Sequence, residues 1–161
     1  MEKINLIYGK GDVLHTHTNI NPFANDADGE TIIRGDISNL DKYVDDAELF
    51  ELVAEDVIDY IPMSETQKTL NNWISKIRIG GKIILGGVDL FEACKGVSLR
   101  HIDTLQANMI LHGTQEKPYL VRKSSFACDE LCDYLEKNGG FKVIKKRTDS
   151  YAMVVEANRV S

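Results

Sequence analysis

The feature that most constrains this fold is a rhythm of short apolar runs. INLIY (4–8), THTNI (16–20), TIIRG (31–35), AELFELV (47–53) and KIILGG (82–87) are each strand-length and bounded by glycine, asparagine, aspartate or proline. Helix-period segments fall between and after them. SETQKTLNNWISKIRIGG offers Ser64 as a cap, sets Leu70, Trp73, Ile74 and Ile77 on one face, and supplies Gly80 and Gly81 as a stop. A second helix is expected from about Ser98 to Leu111, and a third from about Cys128 to Asn138, ended by Gly139 and Gly140. At the end of the chain, FKVIKKR and YAMVVEA flank the polar turn TDS and read as a hairpin. Strands alternating with helices, then an antiparallel pair, predict an α/β fold: a mostly parallel sheet with a C-terminal antiparallel hairpin and helices on both faces.

One connection is too short for this scheme. Parallel neighbours usually need a crossover of roughly a dozen residues with a helix, yet only about eight residues separate INLIY from THTNI. Either the first crossover is a bare loop or THTNI is not a strand.

At 161 residues and 43% hydrophobic, the chain is expected to form a single domain over residues 1–161. No run approaches the roughly 18 to 20 apolar residues that span a bilayer, and MEKINLIYGKG lacks a small-residue cleavage site. A soluble, cytoplasmic protein without a membrane partner is expected. Cys94, Cys128 and Cys132 are odd in number, and the last two lie four apart in a helical segment, so reduced packing residues are expected. The net charge of −6 argues against a nucleic-acid partner, which needs clustered lysine and arginine. Acid concentrates between Asp26 and Asp59, a solvated face or a field that steers cationic ligands.

Gly9 and Gly11 end the first strand, where open α/β sheets bind ligands. Glycine there permits positive φ and close approach of backbone to ligand. The stretch is no dinucleotide fingerprint, because position 14 is Leu14 and no helix follows, nor is it a P-loop, because G-K-S/T is absent. Taken alone, an ordinary strand-to-loop turn explains it equally well.

GKG after the first strand, NIN closing the second, RGDI closing the third, AEDVIDYIP after the fourth and ISKIRIGGKIILGGVDL leading into the fifth occur together in this order. So arranged, and followed by ILHGTQEKPYLVRKSSFACDELCDYLEKNGGFKVIKK, the chain resembles class I S-adenosylmethionine-dependent methyltransferases. It resembles in particular a short branch with a trimmed first crossover. The resemblance covers nearly the whole chain and implies a Rossmann-like methyltransferase sheet, S-adenosylmethionine as cofactor, and methyl transfer to a small-molecule or glycan substrate. Carried over residue by residue, it implies that Tyr8, Gly9 and Gly11 meet the methionine moiety and Asn21 the ribose. By the same correspondence Asp36 receives the adenine amino group and Ile37 lines the ring. Three departures from the family pattern stand out. Asn21 stands where an acid usually binds the ribose hydroxyls, Asp59 and Tyr60 stand where glutamate and histidine precede isoleucine-proline, and Arg122 stands where histidine precedes lysine-serine.

Methyl transfer is an in-line displacement, so the protein's main task is alignment; a hydroxyl nucleophile also needs a base. Glu55, after the fourth strand, is the candidate catalytic base, with turn-capping as the plainer role for it and for Asp56. His15 and His17 alternate on one face but have no third ligand in register, so no metal site is assigned. His101 and His112 belong to the second helix and its end, and the region from Leu90 to Ser125 is expected to form the lid and substrate wall. The departures keep a second function open: a non-catalytic methyltransferase-fold binding or assembly module with a degenerate cofactor site.

Overall fold

The computed structural model describes residues 2–25, 29 and 31–161. Asp26, Asp28 and Glu30, part of the acidic stretch, lie outside the described residues. The strands are β1 (Lys3–Leu6), β2 (Thr18–Asn21), β3 (Ile32–Arg34), β4 (Leu49–Ala54), β5 (Ile77–Val88), β6 (Phe141–Asp149) and β7 (Ala152–Arg159). They form one sheet in the order β3-β2-β1-β4-β5-β7-β6, parallel from β3 to β5 and antiparallel through β7 and β6. The mostly parallel sheet with its terminal hairpin is the architecture expected. Strand order reverses between β1 and β4, which opens a crevice beyond their carboxyl ends.

The helices are α1 (Thr66–Lys76), α2 (Leu90–Ser98), α3 (Thr104–His112) and α4 (Cys128–Gly139). Leu70, Trp73 and Ile74 of α1 and Leu131 and Leu135 of α4 share a buried cluster with Ile4, Leu6, Ile20, Leu52, Ile83 and Leu85. Alternate strand residues carry charge instead. Glu51 receives His17 at 2.9 Å, Lys3 at 3.4 Å and Lys82 at 3.6 Å. Among the described residues no helix is long and apolar enough to cross a membrane.

THTNI does contain a strand, so the first crossover is a bare loop. Buried asparagines replace the helix that would normally satisfy its backbone. Asn19 accepts from Leu14 N at 3.0 Å and from Asn5 Nδ2 at 2.8 Å, and donates to the carbonyls of Leu14 and His17 at 3.1 Å. Asn5 Nδ2 also donates to the Asp12 carbonyl at 2.8 Å.

Helix boundaries differ from the expectation at three places. Glu65, not Ser64, occupies the α1 N-cap, without a side-chain cap bond. That helix stops at Lys76 rather than at the glycines, because Ile77 turns extended and pairs with Leu49. Gly80, at φ +78°, then lies in an irregularity inside β5, where the partners step from Leu49↔Ile77 to Glu51↔Lys82. The helix expected from about Ser98 to Leu111 starts later, as α3 at Thr104, and α2 precedes it over Leu90–Ser98, where no helix was expected. Asp89 caps α2 by accepting from Phe91 N and Glu92 N, and Asp103 and Gln106 form a capping box on α3. The end of α4 follows expectation, with Gly140 left-handed at φ +63°.

Candidate functional site

The carboxyl ends of β1, β2 and β4 are level, since Leu6 pairs with Ile20 and Asn5 with Val53. The turns that follow them therefore meet at the switch point. Gly9 takes φ +76° there. Asn21 fastens the turn from β2: its Oδ1 accepts from Gly9 N at 3.2 Å and from Phe23 N at 3.0 Å, and its Nδ2 donates to the Gly9 carbonyl at 3.3 Å. The amide is engaged by protein on both sides.

Four aromatic rings gather at this turn. Tyr8 stacks on Tyr60 at 4.5 Å, and Phe23 meets Tyr8 edge-on at 4.9 Å and stacks on Tyr119 at 3.7 Å. A Cβ on Gly9 would stand 2.9 Å from Tyr119 Cε2 and 3.0 Å from Leu120 Cδ2, so the segment bearing Tyr119 lies directly over the turn. An exposed ion pair of 2.9 Å between Lys10 and Glu116 also joins that segment to the turn. On the other side of the turn, a cavity of about 420 Å³ is lined by Asn5, Ile7, Lys10, Gly11, Val53 and Glu55.

The other expected site residues are placed as follows. Asp36 Oδ1 accepts from Ser38 N at 2.8 Å and from Ser38 Oγ at 2.7 Å. Ile37 is buried in the core, and its carbonyl accepts from Trp73 Nε1 at 2.8 Å. Gly35, between β3 and Asp36, lies under Tyr43, whose hydroxyl leaves no room for a Cβ. Glu55 and Asp56 are exposed beyond β4, with Asp56 at φ +52°. Tyr8, Gly9, Gly11, Asn21 and Glu55 are thus brought around the switch point. Asp36 and Ile37 follow β3, two strands away from β1. His15 is exposed, and His17 Nε2 is spent on Glu51.

Two of the departures from the family pattern turn out to be one feature. Asp59 is fully buried, and its Oδ2 accepts from Val88 N at 2.8 Å and from Arg122 Nη1 at 2.9 Å. The same Nη1 donates to Asp56 Oδ1 at 2.6 Å, and the guanidinium lies 5.0 Å from the centre of the Tyr60 ring. The Asp59 carbonyl accepts from Lys123 N at 2.7 Å and Ser124 N at 3.1 Å, which docks the Arg122 segment on the turn after β4. Burial raises the Asp59 carboxyl to about 6, against the lowering effect of the Val88 hydrogen bond and the Arg122 charge. Beside this group a cavity of about 290 Å³ is lined by Glu55, Asp56, Gly86, Gly87, Arg122 and Met153.

Phe23, Tyr43 and Tyr119 were not legible as site residues. Each reaches the rim from a loop, where no periodicity marks it. The pairing of Asp59 with Arg122 spans 63 residues and leaves no local signal, although both positions stand out against the family pattern.

The sequence matches no protein-family model and no curated protein sequence. Solved structures do match. One is the 1,6-didemethyltoxoflavin-N1-methyltransferase of Burkholderia thailandensis, with bound 1,6-didemethyltoxoflavin and S-adenosylhomocysteine. Its TM-score is 0.65 at 10% identity, over 99% of this chain and 71% of that one. An O-methyltransferase family protein from the same organism gives 0.64 at 11% identity, over 99% of this chain and 51% of that one, so this chain spans about half of its length. A SAM-dependent methyltransferase from Thermotoga maritima gives 0.64 at 16% identity, over 98% and 81%. At such identities the likeness speaks to architecture, and with the strand order above it establishes that this chain has the class I S-adenosylmethionine-dependent methyltransferase fold.

Proposed function

We propose that the chain binds S-adenosylmethionine at the switch point and transfers its methyl group to a small-molecule or glycan acceptor. The observation that carries this reading is the Gly9 turn, held at φ +76° and level with the exposed Glu55 beyond β4. The surrounding chemistry suits a sulfonium: aromatic rings attract cations, and Tyr8, Tyr60, Phe23 and Tyr119 cluster in two stacked pairs beside the turn. The turn of Gly9 and Gly11 would lie along the methionine end, with Asp36 on the adenine side; Ile37, buried in the core with its carbonyl bonded to Trp73, stands behind it.

When bound, the sulfonium supplies the methyl group and the charge that drives its release. The chain's own residues supply placement. The Gly9 turn is fixed by Asn21, so it enters the reaction pre-organised. Glu55, exposed and in no ion pair among the described residues, would take a proton from the attacking group. Tyr119 and Leu120 lie over Gly9, so admitting the cofactor requires this segment to withdraw.

A second reading is favoured by that same contact together with the engaged Asn21 amide: a binding or assembly module whose hollow is permanently closed by its own rings. Calorimetry with S-adenosylmethionine and S-adenosylhomocysteine separates the two, on the wild-type chain and on Tyr119→Ala. Methyl transfer expects micromolar affinity, roughly −8 kcal/mol, equal or tighter in Tyr119→Ala. Absence of binding in both proteins would overturn methyl transfer at this site.

A further inference from the structure

Residues 113–122 form a loop whose ends meet, and its base and tip are held in different ways. Arg122 N donates to the His112 carbonyl at 3.1 Å and closes the base. That base is tied to the turn after β4. Arg122 Nη1 donates to Asp59 Oδ2 at 2.9 Å and to Asp56 Oδ1 at 2.6 Å, Lys123 N and Ser124 N donate to the Asp59 carbonyl, and Ser124 Oγ donates to the Ile61 carbonyl at 3.1 Å. The tip has bonds of its own, from Gln115 N to the Leu120 carbonyl at 3.2 Å and from Leu120 N to the Lys117 carbonyl at 3.0 Å, which preserve its shape if it moves. Its ion pair to the Gly9 turn, Lys10 with Glu116, has side chains 76% and 59% exposed and contributes little. Apolar contacts seat the tip instead: Tyr119 stacks on Phe23 at 3.7 Å and 11°, and Leu120 is buried in the core cluster. Gly113, at φ +83°, joins the tip to α3, and a Cβ there would stand 2.6 Å from the Leu120 carbonyl, so the closed joint requires glycine.

A firm base, a self-supporting tip and a glycine joint localise opening to the tip. The stack is also the contact that a ligand reaching Gly9 must break, since Tyr119 Cε2 and Leu120 Cδ2 stand 2.9 Å and 3.0 Å from where a Gly9 Cβ would be. Building on the methyl-transfer reading, we infer that residues 113–122 are an autoinhibitory strap, held shut over the cofactor turn by the Tyr119–Phe23 stack and opening as a unit about the Arg122 base. Phe23 belongs to the turn that Asn21 fastens, so its half of the lock stays in place while Tyr119 leaves. The closed state is the resting one, and apparent cofactor affinity is lowered by the fraction of chains that are open.

Strap motion needs no cofactor, so it is read first without one, by 15N relaxation dispersion on the microsecond-to-millisecond scale. Exchange is expected at amides of residues 114–120, with Lys123 and Ser124 silent. Phe23→Leu keeps an apolar side chain but removes the ring, and should raise the open population roughly two- to tenfold, the scale of one aromatic pair. An open population that Phe23→Leu does not raise, or exchange that runs through Lys123 and Ser124, would overturn the inference. Calorimetry with S-adenosylhomocysteine then separates the strap from the activity it rests on. Tighter binding by Tyr119→Ala than by the wild-type chain supports the strap; equal or weaker binding overturns it and leaves the cofactor site standing. Strap opening without cofactor binding in either protein would sink methyl transfer at this turn and leave the strap.

Discussion

Asn21 and Gly9 exchange two hydrogen bonds, with Oδ1 accepting at 3.2 Å and Nδ2 donating at 3.3 Å, so a side-chain amide grips both backbone polar groups of the glycine turn. An acid at this position could accept but not donate. Asn21→Asp would leave the Gly9 carbonyl without its partner and place a charge at a site only 4% exposed. A loss of about 1–3 kcal/mol is expected, read as a lower midpoint in urea with an unchanged slope.

The buried Asp59 makes stability depend on pH in a specific direction. Its folded value of about 6 exceeds the ordinary 3.8, with desolvation as the main cause, so the folded state holds the proton more tightly than the unfolded one. Stability is therefore greatest when the group is protonated and falls as pH rises from about 4 to about 6, flattening above. The contribution lost is on the order of 3 kcal/mol. The carboxylates of Asp41 and Asp46, lowered by Lys76, and of Glu51, lowered by His17 and Lys3 against its burial, act in the opposite sense. The difference in stability between the wild-type chain and Asp59→Asn should therefore carry the fall; parallel curves would remove Asp59 as its source.

Gly87 is glycine because Asp59 fills the space of its side chain. A Cβ there would stand 2.8 Å from both carboxylate oxygens. Gly87→Ala should destabilise by about 1–3 kcal/mol through overpacking. In an Asp59→Ala background the same change should cost little, and a double-mutant cycle measures the difference.

Glu55 projects from the turn after β4 and is exposed, so its removal should leave the fold intact. Under the proposed chemistry, Glu55→Gln lowers turnover by about 100-fold, the lower end of general-base effects, with S-adenosylhomocysteine affinity nearly unchanged. An unaltered rate would exclude it as the base.

Much of the fold was legible because it is local. INLIY, TIIRG and KIILGG declare strands by composition, and Gly140 ends α4 as a glycine ending a helix should. The start of α3 was also written, in the capping pair of Asp103 and Gln106, and the start of α2 in the Asp89 cap, but neither signal stands out against the apolar residues around it. The end of α1 was not, because the Ile77 pairing with Leu49 outweighs the helical preference of the ISKIR stretch.

By itself, the sequence determined the succession of strands, the hairpin and the glycine turn, since hydrophobic period and turn chemistry act between neighbours. Tertiary structure alone decided what stands around that turn. Tyr119 over Gly9, Asn21 on its amide and Arg122 between Asp56 and Asp59 join residues far apart in the chain. Only the sheet order that brings β1 beside both β2 and β4 converts those separate loops into one rim.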